Sequence, residues 1–303
     1  MPSPKKIIAK RPVITKLTKW LTNKRTEVPK KKYCHIFLQE RPEIRTEIVQ
    51  ELADYFYSAH EPARRHRRAL LTDSLHPFKN SKDDPAYGYP EALEEITLQG
   101  YFGEVLTGII AENYTHFGSS KWQVPAYLFH THDLAFHQLE LARQTGKPVK
   151  KIPGRHGDDC LAFERDDDGS IRRIMFCESK CTQTHNASLI KENHEKLSFS
   201  NISPVDLLSV IEALKTFGED PLAKDWIIAL QLIALDRSLI EERCDLSSYI
   251  CGQMPKKEPT WISQKDPHLN YTGGRSLEAV ETHIEKVKEL IGEIYSKVGS
   301  TIK

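Results

Sequence analysis

A chain of 303 residues can bury a full core, and 39% hydrophobic with 28% charged residues describes a globular fold, which excludes disordered and fibrous classes. No apolar run approaches the roughly eighteen residues that span a bilayer, and the basic start Met1-Pro2-Ser3-Pro4-Lys5-Lys6 leads into no secretory segment. A membrane role is therefore set aside and a cytoplasmic location expected. The formal net charge of +1 leaves attraction to a polyanion to local patches, and two stand out: Lys5 to Lys32, and His60 to Arg68.

In chain order, residues 1–32 read as a Lys-rich, loosely ordered basic arm, with 33–303 forming one α/β domain. Tyr33 to Leu38 is an opening strand. A helix follows from Glu43 to Tyr57, where Ile44, Ile48, Leu52 and Phe56 recur every four residues. Asp73 to Pro90 is rich in Pro, Asn, Asp and Gly and reads as loop. Ala92 to Tyr114 predicts a second helix, with Leu98, Phe102, Val105, Leu106, Ile109 and Ile110 as its apolar stripe and Glu104 aboard. Trp122 to Phe129 reads as a strand and Asp133 to Thr145 as a helix stopped by Gly146. After a strand, turn and strand over Gly154 to Thr182, the pattern predicts helices at Pro204 to Phe217 and an apolar element at Trp226 to Leu235. A strand at Leu246 to Cys251 and a long closing helix from Ser276 to Tyr295 complete the chain, with Val280, Ile284, Val287, Ile291 and Ile294 turned inward. No repeat or Gly/Ser linker divides it, so one mixed sheet flanked by helices is the economical architecture. The six cysteines form no CxxC pair and read as reduced core thiols.

The chemistry concentrates between Gly157 and Lys180. Asp168-Gly169 lies between two extended runs, a strong signal for a two-residue hairpin turn, and that register places Asp159 opposite Glu178. Opposed residues share a face with Cβ atoms about 5 Å apart, and strand periodicity puts Lys180 on the same face. Two carboxylates so close repel, so one keeps its proton unless a cation lies between them. A hard divalent ion, Mg²⁺ or Mn²⁺, meets that need with oxygen ligands, while Lys180 can stabilise an attacking water or the charge growing on a phosphate. The apolar run Ile174-Met175-Phe176-Cys177 marks a buried strand, where charges are seldom left without a role. A three-residue turn would shift the register by one and make Asp158 the ligand in place of Asp159. A calcium loop fits poorly: Glu164, Asp166, Asp168 and Gly169 fall at suitable positions, but Met175 stands where a bidentate Glu is required. Cys177 and Cys181 point away from the acidic face, no G-x-S-x-G elbow exists, and His130, His132 and His137 lack matching ligands.

Gly103-Glu104, Gly157-Asp158-Asp159 and Glu178-Ser179-Lys180 together resemble the PD-(D/E)xK nuclease core. More narrowly, the chain resembles the HamA C-terminal-domain family, the nuclease subunit of the Hachiman anti-phage system. Further cues are Tyr249-Ile250-Cys251-Gly252, Trp261, Tyr271-Thr272-Gly273 and the segment through Tyr295. The resemblance implies a PD-(D/E)xK nuclease-like domain over 33–303 and a Mg²⁺- or Mn²⁺-dependent DNase with a helicase partner, restrained until phage-related DNA releases it. Asp159 and Glu178 would be metal ligands, Lys180 the catalytic lysine, and Glu104 the helix carboxylate completing the site, with Asp158 the rival ligand. Hydrolysis would proceed by an attacking water without a covalent intermediate. The basic arm has no counterpart in the family. A nuclease-fold module that binds DNA without cutting, and a stand-alone restriction-type endonuclease, remain as alternatives.

Overall fold

The computed structural model describes residues 11–72, 84, 86–129, 159–199, 204–256 and 259–301. Its centre is a seven-stranded mixed sheet in the order β1-β2-β7-β6-β5-β4-β3. The strands are β1 (Leu21–Val28), β2 (Tyr33–Glu40), β3 (Trp122–Gln123), β4 (Cys160–Arg165), β5 (Ile171–Thr182), β6 (Glu242–Cys251) and β7 (Ser276–His283). The inner four, β2, β7, β6 and β5, run parallel, while β1 at one edge and β4 and β3 at the other are antiparallel to their neighbours. Parallel strands are covered on both faces; β6 and β7 accordingly bury nearly every side chain, and β5 buries its middle from Ile174 to Ser179.

Two helical layers enclose the sheet. Helices α2 (Arg45–Ala59), α4 (Glu95–Asn113) and α8 (Val287–Thr301) cover one face, meeting Met175 and Cys177 of β5 with Leu52, Phe56, Phe102, Leu106 and Ile291. The other face carries α5 (Ala187–Phe199), α6 (Pro204–Lys215) and α7 (Pro221–Leu235), where Ile190, Leu197, Ile211 and Trp226 pack on Ile174 and Phe176. Alternate residues of β5 thus serve different cores, as a period of two demands. All six cysteines are free, and all but Cys181 are buried.

Two sequence expectations need correction. The basic arm is built into the fold from residue 11 on: α1 (Leu17–Trp20) leads into β1, Trp20 is fully buried, and its indole donates to Glu40 Oε1 at 2.9 Å. The exposed Asn23, Lys24 and Glu27 that made this stretch look like a solvated tail belong to an edge strand, where charge discourages pairing with another sheet. The closing helix starts only at Val287, because Ser276–His283 is β7, an inner strand. Glu278 and Glu281 there imitate a helical surface but are buried and paired. Glu278 meets Arg25 and His116, and Glu281 meets His283, His35 and the amides of Trp261 and Ile262.

Elsewhere, the predicted strand at 122–129 shrinks to Trp122–Gln123, and the expected loop at 73–90 is described only from Ala86 onward apart from Asp84. The helix expected at 133–145 and the histidines at 130, 132 and 137 lie outside the described residues. The second basic patch lies on α3 (Glu61–Thr72) and is largely paired within the protein: Arg64 and Arg65 with Glu61, and Arg68 with Asp84. Arg64 is fully buried, its guanidinium over the Tyr57 ring at 4.1 Å.

Candidate active site

The β4–β5 hairpin positions the acidic pair by a route other than the expected one. Its turn has three loop residues, Asp167, Asp168 and Gly169, closed by hydrogen bonds from Asp166 N–H to Ser170 O and from Gly169 N–H to Asp166 O, both 3.0 Å. Only Gly169 takes a positive φ, at 91°, the place where a side chain would be strained. Such a turn would displace the register by one. A bulge between Glu164 and Arg165 then leaves Arg172 without a partner and restores it, so Glu164 faces Arg173 and Cys160 faces Cys177. The two departures cancel. Asp159, one step before β4, arrives beside Glu178 as the simpler turn would have placed it.

Side chains of β5 alternate across the sheet. Ser179 faces α4, where its hydroxyl accepts from Thr107 at 3.1 Å and where a Cβ on Gly103 would come within 2.8 Å of it. Glu178 and Lys180 therefore face α5. Lys180 Nζ donates to Glu178 Oε1 at 2.8 Å, and Asp159 Oδ2 accepts the Ser179 N–H at 2.9 Å. A second lysine closes the group: Lys196 of α5 lies 3.4 Å from Asp159 Oδ1 and touches Glu178 Oε2 as an ion pair, although that buried oxygen accepts no hydrogen bond. Helix α5 is seated by Asn193, whose side-chain amide donates to the carbonyls of Glu178 and Ser248 at 3.2 and 2.8 Å.

Glu178 is wholly buried, whereas Asp159, Lys180 and Lys196 keep 28%, 24% and 30% of their side chains exposed, so the group reaches solvent around a buried Glu178. Burial above all, then the charge of Asp159, raises the Glu178 carboxyl to about 8 against the pull of Lys196 and Lys180. The same row of the sheet continues from Lys180 to Tyr249 and Glu281. Tyr249 Oη meets His185, which stacks on Trp261 with ring centroids 3.8 Å apart.

Of the residues singled out in the sequence, Asp159, Glu178 and Lys180 come together. Glu104 is buried on α4, in the layer on the other face of β5, where its charge reaches the Cys160 thiol, a group raised first by its contact with Cys177 and by burial. Asp158 lies outside the described residues. Lys196 and Asn193 went unnoticed in the sequence. The available signal was weak: Asn186, whose side chain accepts the Ser188 N–H at the head of α5, and the apolar pair Ile190 and Leu197 two turns apart.

Among the described residues no group of three or more His, Cys, Asp and Glu side chains is placed to hold a metal ion. Two carboxylates nevertheless converge, and the Lys196 ammonium fills the gap between them, ion-paired with the buried Glu178 Oε2. That donor set fits Mg²⁺ or Mn²⁺, which commonly take one or two protein carboxylates and complete their shell with water and substrate phosphate. No model of a known protein family and no curated protein matches the chain.

Proposed function

We propose that this protein is a metal-dependent DNA nuclease of the PD-(D/E)xK type. Following the resemblance to the HamA C-terminal-domain family, it serves as the effector subunit of an anti-phage complex with a helicase. The reading is carried by one observation: Asp159 and Glu178 meet at the start of a buried hairpin with Lys180 bonded to Glu178. The mixed sheet between two helical layers agrees with it.

In this reading Asp159 and Glu178 hold Mg²⁺ or Mn²⁺, which supplies positive charge against the phosphodiester oxygens. Lys180, part-exposed and anchored on Glu178, directs its ammonium at the attacking water or at the charge developing on the phosphate. Glu104, the helix carboxylate that the resemblance assigns, lies in the layer on the other face of β5 and takes no part in this reading.

The test is Mg²⁺-dependent nicking of plasmid DNA, alone and with the helicase partner. Glu178→Ala and Lys180→Ala should each abolish cleavage while circular dichroism shows the fold retained. A Glu178→Ala protein that degrades DNA as fast as wild type would sink the assignment. One observation favours a second reading, a nuclease-fold module that binds DNA without cutting: Lys180 and Lys196 already occupy the space around the two acids. Such a module would retard DNA in a gel, lose affinity steeply with salt and never nick it. Discrete bands from a defined substrate would instead mark a stand-alone restriction-type endonuclease.

A further inference from the structure

Resting on the reading of Asp159 and Glu178 as metal ligands, we propose that the Lys196 ammonium occupies their cation position and that a divalent ion binds only by displacing it. Lys196 then sets the metal affinity of the site, and the metal-free group is a closed state with the ammonium in the cation position. It is a positioning residue in this role.

The geometry separates the two lysines. Lys180 lies on the strand that carries Glu178 and meets Oε1. Lys196 comes from α5, spans both acids at once, and lies against Oε2, the oxygen that accepts no hydrogen bond. A cation shared by both carboxylates needs that same space. Displacement is mechanically simple, since α5 stays pinned by Asn193 and packed through Ile190, His194 and Leu197. Only the flexible Lys196 stem has to move, and its head is part-exposed. The buried Glu178 cannot follow. Once displaced, Lys196 stands beside the metal as an extra positive charge, matched to a phosphodiester. Substrate therefore favours the metal-loaded state, because the phosphate gives the displaced ammonium a new partner.

Mn²⁺ titration of the full chain, read by the paramagnetic resonance of free Mn²⁺ and by thermal stability, tests this without reference to cleavage. Lys196→Gln should bind Mn²⁺ tighter than wild type by at least about tenfold, since one competing unit charge within a few ångströms is removed. Lys196→Arg, which keeps the charge, and Lys191→Gln, an exposed change on the same helix, should match wild type. Equal or weaker binding by Lys196→Gln overturns the proposal. Should that variant fail to fold, wild type alone decides: Mn²⁺ should speed acylation of Lys196 by an amine reagent, followed by peptide mass spectrometry, and an unchanged rate overturns it. Glu178→Gln separates the two levels. If it binds Mn²⁺ as wild type does, the ligand assignment and the nuclease reading fall as well. If it loses binding while Lys196→Gln gains nothing, only displacement by Lys196 is wrong.

Discussion

Glu281 shows how a single side chain in this sheet acquires a pH dependence. Burial would raise its carboxyl, but hydrogen bonds from His283, His35 and the amides of Trp261 and Ile262 overcome that and hold it at about 2, below the ordinary 4.5. A depressed carboxyl contributes stability that is fully present above 4.5 and lost as the pH falls through about 2. Glu281→Gln should therefore be less stable than wild type at neutral pH, by about 1–3 kcal/mol for donors left unpaired. The gap should close as urea melts are repeated toward pH 2, and a gap independent of pH would refute the assignment. At this scale the sequence was partly legible. Asp-Gly announced the hairpin, and Asp159, Glu178 and Lys180 followed from strand periodicity. The bulge that repaired the register left no mark, since Glu164-Arg165 is ordinary strand sequence. Lys196 reaches the acids only because α5 folds back over β5, a tertiary fact that no local spacing encodes.

Among elements, α4 was read correctly from its apolar stripe, and its glycines explain how closely it lies on the sheet. A Cβ at Gly108 would sit 2.3 Å from the Tyr127 ring and 3.1 Å from Cys160 Sγ, whereas one at Gly100 would meet nothing within 4 Å. Replacing a mid-helix Gly by Ala gains about 1 kcal/mol in propensity, while overpacking a full core costs about 1–3 kcal/mol. Gly100→Ala should raise the melting temperature and Gly108→Ala should lower it, a difference in sign that calorimetry can read. Equal shifts would mean that the helix rides farther from β4 than described. Strand β7 was misread as helix for a physical reason. Both its faces are buried, which erases the alternation of a half-exposed strand, and Glu278 and Glu281 stand three apart like helix surface.

For the molecule as a whole, the mixed α/β class was legible in the alternation of helix and strand patterns, and the strand order was not. The parallel pairing of β2 with β7 depends on two segments at opposite ends of the chain. The N-terminal region bears on stability in consequence. Leu17, Trp20 and Leu21 lie in the core, and Glu40 gathers Trp20, Arg45 and the Glu285 N–H. Deleting residues 1–32 removes a buried Trp, alone worth about 3–5 kcal/mol, and bares the β2 edge. Against a total stability of about 5–15 kcal/mol, the shortened protein should lose cooperative unfolding. Retention of the full-length melting temperature would show the segment to be an appendage after all.

The β2–β7 seam also orders events in time. During synthesis the opening hairpin emerges with one strand edge vacant, and the strand that fills it appears only when Ser276–His283 has left the ribosome. Contacts so distant along the chain close late and slowly. A nascent chain halted anywhere between them leaves an adhesive edge open to chaperones or to aggregation, and its acidic hairpin stays outside the finished sheet.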